Sequence, residues 1–225
     1  MSDTAAGRTP TPVDHIAEEW VKTLSALCPE IATYIGATAK LDEYSDYSPA
    51  GRAELMSAAT RTLAALDVAT PVDDTDRVTI TDLSAELRLD IELEEAGWGA
   101  RDINVLASPA QGIREIYDLM PTATEDDWSI IARRLGRVDG ALDGSAETLR
   151  EGIANGNTPA VRQVREVLAQ VRTIAARDGF FAEFTGGAEV SQSLKNDYRR
   201  RRARRRRLRP LRRLPRDGAR PRGAR

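Results

Sequence analysis

One histidine and one cysteine bound the side-chain chemistry open to this 225-residue chain. His15 falls in the first turn of a predicted helix and reads as a solvated end residue. Cys28 sits at a helix end before Pro29 and reads as a small apolar residue rather than a nucleophile. With one cysteine no internal disulfide can form, and one His with one Cys cannot supply a zinc site of usual composition. Carboxylates are abundant, in three groups: Asp73, Asp74 and Asp76; Glu92, Glu94 and Glu95; Glu125, Asp126 and Asp127. Paired carboxylates do acid–base work where burial moves a pKa. The first and third groups stand at helix N-termini, where the dipole favours acids, and the second faces solvent near a helix end. None signals burial, and none matches a calcium loop. There is no glycine-rich phosphate loop and no Gly-x-Ser-x-Gly. No catalytic, cofactor-binding or metal-binding residue is expected in this chain.

The elements that would position such groups read as all-α, a bundle of about six to seven helices. Asp14 is expected to cap a helix carrying Ile16, Trp20, Val21, Leu24 and Leu27, which Pro29 ends. Ser48-Pro49 pairs an N-cap with a proline at the first helical position, ahead of Leu55, Ala59 and Leu63. A helix from about Asp74 to Glu95 repeats Leu83, Leu87 and Ile91, widened by Leu89 and Leu93 and closed by Gly97 and Gly99. Pro109 starts a short helix that Pro121 stops. Thr124-Glu125-Asp126-Asp127 resembles a capping box. The helix after it carries Trp128, Ile131, Leu135, Val138, Leu142, Leu149 and Ile153 as one seam. Asn155-Gly156 closes that helix and Thr158-Pro159 opens the next, with Val161, Val164, Leu168, Val171 and Ile174 inward. The short turn predicts that these two pack as an antiparallel hairpin. A further helix is expected from about Ala188.

Charge divides the chain. Of its 33 Lys and Arg residues, 15 arginines lie in Arg199–Arg225, with one of the 35 acids, Asp217; the remainder holds 18 basic and 34 acidic residues, a formal charge of −16. Residues 1–13 read as a disordered lead-in with no apolar signal core, 14–197 as one helical domain, and 198–225 as a disordered tail. No run approaches the roughly 18 apolar residues of a membrane span, and the body reads as cytoplasmic. The tail could be a basic arm that binds nucleic acid or acidic partners non-specifically. Such arms usually mix Lys with Arg and add residues that stack on bases. This one has no Lys, Ser or aromatic residue after Tyr198, and its alphabet is the one GC-rich codons encode. Back-translated and read one base later, Leu208–Gly218 permits Tyr-Ala-Pro-Phe-Ala-Asp-Phe-Leu-Ala-Thr-Glu, an amphipathic helix pattern. The expectation is a frameshift near Tyr198.

Several segments carry a resemblance. Pro29-Glu30-Ile31-Ala32-Thr33-Tyr34-Ile35-Gly36 and Asp46-Tyr47-Ser48-Pro49-Ala50-Gly51-Arg52 come first. Asp76-Arg77 with Asp82-Leu83, Arg134-Leu135, and Leu149–Gly156 with Thr158-Pro159 follow in order. Over residues 15–197 the chain resembles the bacterial domain-of-unknown-function family numbered 885. That resemblance implies a helical protein two to three times longer, related to zinc-dependent peptidases, whose histidine-bearing metal motif lies in its C-terminal half. No metal ligand then transfers to this chain, and zinc is expected only in a full-length relative. The chain is expected to be an inert, truncated N-terminal part, with an exposed apolar face on the final hairpin and on Phe180–Phe184. The alternative is a helical module with the basic arm Arg199–Arg225.

Overall fold

Local capping signals place most of the helix starts in the computed structural model, which describes residues 8–38 and 40–186. The helix expected near Ala188, the tail 198–225 and the lead-in as far as Gly7 lie outside the described residues. Eight α-helices and no strand occur among the described residues: α1 (Pro12–Leu27), α2 (Pro29–Tyr34), α3 (Pro49–Asp67), α4 (Asp74–Glu95), α5 (Pro109–Glu115), α6 (Glu125–Ala154), α7 (Val161–Ile174) and α8 (Phe180–Gly186). Short 3-10 turns occupy Gly99–Arg101 and Ile116–Asp118.

Ser48 caps α3 by accepting the Gly51 N–H, as the sequence predicts, and Asp73, expected only to place charge at the helix dipole, caps α4 by accepting the Asp76 N–H. Thr124 and Asp127 close the expected capping box on α6. The first helix differs. Its cap is Thr11, and Asp14 stands three residues in as the reciprocal partner of that box, returning a bond to the Thr11 N–H at 2.8 Å. Pro12 then occupies the first helical position, which needs no N–H donor.

Helices α1, α3 and α4 pack together around Trp20, Ala58, Ala59, Leu66 and Leu87, with Leu83 and Ile91 against them. Leu89 and Leu93 do not widen this stripe; they are exposed. A second cluster joins α5 to α6 through Ile113, Val138 and Ala141, with Tyr44 and Tyr47 packed on it.

The 30-residue α6 buries Trp128, Ile131, Leu135 and Val138 as expected. Beyond Val138 the buried line passes through Ala141, Thr148 and Gly152, while Leu142 and Ile153 are exposed. Each large residue stands one position, about 100°, off the buried line. Small residues are needed there because other backbone crosses: a Cβ on Gly144 would lie 3.0 Å from the Ser48 nitrogen, and one on Gly152 2.2 Å from the Ala100 carbonyl.

Helix α7 packs chiefly on α5 and α8 rather than lying along α6 as an antiparallel partner. Thr158-Pro159 does not open it; Ala160 is extended and α7 begins at Val161. The linker is held elsewhere, because Asn157 donates through its side chain to the Gly97 carbonyl at 2.6 Å and through its backbone to Gly152 at 2.8 Å. Val167 is buried, whereas Val161, Val164 and Leu168 remain exposed. Phe180–Phe184 do not form an exposed face. Phe180, Phe181 and Phe184 are half-buried in α8, with Phe181 5.6 Å from Tyr117 edge-on and Phe184 5.3 Å from Trp128.

Candidate functional site

The largest concentration of buried polar groups lies where α2, the 41–48 segment and α6 meet. Helix α2 starts at Pro29, so Glu30 stands in its first turn and points into the protein, 8% exposed. Both of its oxygens are engaged. Ser45 donates its N–H at 3.0 Å and its hydroxyl at 2.5 Å to Oε2, and the Tyr47 hydroxyl donates to Oε1 at 2.8 Å. One turn further along α2, Thr33 faces Arg134 of α6.

Arg134 is completely buried. Its Nε donates to the Glu43 carbonyl at 2.9 Å, its Nη1 to the Thr33 hydroxyl at 3.0 Å, and its guanidinium carbon lies 5.3 Å from the centre of the Tyr44 ring. Nη2 has no partner. A buried guanidinium carries a large desolvation cost, offset here by two hydrogen bonds and the aromatic face. Tyr44 in turn bonds the Tyr117 hydroxyl at 2.7 Å and the Ile113 carbonyl at 3.1 Å. Thr148 donates to the Tyr47 carbonyl at 2.7 Å and fixes the far end of the segment.

Burial raises Tyr47 well above the ordinary phenol range, and the Glu30 charge and hydrogen bond act in the same direction. Tyr44 is raised by burial against the opposing pull of its bond to Tyr117 and the Arg134 charge. Burial likewise raises the Cys28 thiol, with the Ser45 hydrogen bond opposing it. All three groups are favoured in their protonated forms, so neither tyrosine nor the cysteine is a ready phenolate or thiolate. Above it opens a cleft of about 250 Å³, lined by Tyr44, Ser45, Asp46, Arg137 and Gly140 among others. Arg137 is spent on Asp42, bonding its carboxylate at 2.5 Å and its carbonyl at 2.6 Å. Burial pushes Asp42 up, but Arg137 and Arg133 outweigh it and leave the carboxyl below its usual range.

The residues singled out by type scatter. His15 is exposed, as expected, and Cys28 is partly buried beside Ser45. Glu125 and Asp126 are exposed in the first turn of α6, as are Glu92 and Glu95 near the end of α4. Glu94 pairs with Arg52. Asp76 is the correction, because it has no exposed surface. It accepts from the Thr11 hydroxyl and the Val72 N–H, each at 2.8 Å, and from Arg8 at 2.5 Å. Arg8 also bonds Asp14 at 2.5 Å and Asp73 at 2.6 Å, so one guanidinium joins the starts of α1 and α4. Its hydrogen bonds hold Asp14 and Asp73 below the ordinary carboxylate range. Nothing in the local sequence marks Asp76, Glu30 or Arg134 as buried; Glu30 meets partners 15 and 17 residues away, Thr11 lies 65 residues from Asp76, and the partners of Arg134 lie 91 and 101 residues away. Among the described residues no three His, Cys, Asp or Glu side chains are grouped to hold a metal ion, and no helix is long and apolar enough to cross a membrane.

A family model described as "Bacterial protein of unknown function (DUF885)" matches residues 29–217. Curated proteins give no match to the chain. The matched span begins at Pro29, the first residue of α2, and takes in every member of the Glu30–Arg134 cluster except Cys28.

Proposed function

We propose, for a chain that belongs to the DUF885 family of bacterial proteins of unknown function, that it is the N-terminal helical portion of a protein related to zinc-dependent peptidases and serves as scaffold, with no catalytic residue of its own. One observation carries this reading. The most polar family-like segments converge on Glu30, Thr33, Tyr47 and Arg134, and these spend their hydrogen bonds on other parts of the chain. A group that moves a proton or binds a metal needs an atom free to face substrate or ion. The Glu30 oxygens are turned inward and already accept, so the cluster braces α2 against α6.

In this proposal the zinc ligands belong to the C-terminal half of a longer relative, and the chain is a truncated cytoplasmic form. The frameshift near Tyr198 rests on composition and on the helix pattern that the shifted frame permits, while the family match itself continues to residue 217. Sequencing the gene across codons 190–225 decides it; an unopened alternative frame removes it. The test of the scaffold reading is incubation of the purified chain with mixed peptides, with and without zinc. No cleavage is expected, and no zinc uptake by titration calorimetry. Zinc-dependent hydrolysis by the chain alone overturns the proposal. A second reading, a helical module that binds nucleic acid or acidic partners, is favoured by the 15 arginines of Arg199–Arg225.

A further inference from the structure

Two helix faces exposed among the described residues carry aliphatic positions beside charges of opposite sign. On α7, Val161, Val164 and Leu168 are 63%, 43% and 46% exposed and form one stripe. Arg165 and Arg172 lie on the same stripe, each four residues after an apolar member, and both are exposed. The single acid of α7, Glu166, is on another side, where it lines a polar cleft with Arg162, Gln163 and Gln170. On α4, Val78 and Leu89 are 59% and 50% exposed, with exposed Ala85 between them. Asp82 and Glu86 stand among these, also exposed.

Val78, Asp82 and Ala85 repeat the spacing of Val161, Arg165 and Leu168, with the charge between the aliphatic positions changed in sign; one turn further on, α4 carries Leu89 where α7 carries Arg172. Helix α4 packs on α1 and α3, and α7 on α5 and α8. Asp82, Glu86, Arg165 and Arg172 form no ion pair among the described residues. The negative field along α4 is felt inside the helix as well: burial, with the Glu86 charge adding to it, raises Asp90 above the usual carboxylate range.

We propose that α7 of one copy docks on α4 of a second copy, its Val161–Leu168 stripe against Val78 and Leu89 and its Arg165 and Arg172 against Asp82 and Glu86. The aliphatic residues supply burial, and the charges set partner and register. The contact is heterologous: a pair of copies joined by it keeps one free α4 and one free α7, so assembly proceeds to a closed ring or an open chain. This goes beyond the scaffold reading and does not depend on it.

Analytical ultracentrifugation of the full chain tests it. The wild-type chain is expected to sediment as dimer and larger species at roughly 100 µM. R165E/R172E and D82K/E86K should each weaken self-association about tenfold or more. Mixing the two variants should restore assembly, because the acidic α7 of one meets the basic α4 of the other. A monomeric wild type, leaving the stripes to a different partner, overturns the proposal. So does an R165E/R172E chain that associates like wild type, or a mixture that stays monomeric.

Discussion

Arg8 shows how a single side chain can hold two helix starts. Its guanidinium meets Asp14, Asp73 and Asp76, and its hydrogen bonds depress the pKa of Asp14 and Asp73 in the folded chain. A depressed folded pKa adds stability that is present above the unfolded carboxylate value of about 3.9 and is lost as pH falls through the folded values. Arg8→Ala is therefore expected to lower the melting temperature at neutral pH, with the gap to wild type closing below about pH 4. Thermal melts of both chains from pH 7 to pH 2 read this directly; a gap that stays constant shows that Arg8 acts by packing alone. At this scale the sequence was legible for residues with local duties. Ser48 caps α3 by accepting the N–H three residues on, Asp73 places its charge at the start of α4, and His15 is exposed on a helix start. It was not legible for Asp76 or Arg134, because burial depends on partners brought in by the fold.

Helix α6 carries the lesson at the scale of elements. Its start was written in Thr124 and Asp127, and its first four apolar residues face inward as their spacing requires. After Val138 the spacing of large residues misleads, because close backbone crossings select Ala141, Thr148 and Gly152 for the buried side. Gly152 and Gly140 separate propensity from packing. Alanine gains about 1 kcal/mol over glycine in a helix interior. A Cβ at Gly140 meets nothing within 4 Å, whereas one at Gly152 would stand 2.2 Å from the Ala100 carbonyl and 2.6 Å from the Asn157 carbonyl. Gly140→Ala is expected to raise stability by up to about 1 kcal/mol, and Gly152→Ala to lower it by about 1–3 kcal/mol through overpacking. Urea titrations of the two variants against wild type measure both; equal shifts would refute the close crossing at Gly152. The same anchoring explains why α7 is not the partner of α6. Asn157 ties the linker to the end of α4, and no local signal announces that bond.

Across the whole molecule, charge is the property that sequence fixes most fully. The 15 arginines beyond Tyr198 against a body of −16 need no coordinates to be counted. Whatever their origin, a run of arginines is expected to bind polyanions through counterion release. Removing residues 199–225 is expected to abolish binding to a generic duplex DNA, and binding by the full chain should fall steeply between about 50 and 200 mM salt. Fluorescence anisotropy across that range checks it, and binding that survives the deletion would assign it to the helical body. The all-α class, the starts of α3, α4, α5 and α6 and the absence of strand periodicity also follow from sequence alone, because capping, proline placement and apolar spacing act within a few residues. Tertiary structure alone decided that Glu30, Tyr47, Thr33 and Arg134 form one inward-facing cluster, that Asp76 is buried, and that α7 turns its aliphatic stripe outward. Those outcomes depend on contacts between segments many tens of residues apart, and no local pattern encodes which of two helix faces a distant element will cover.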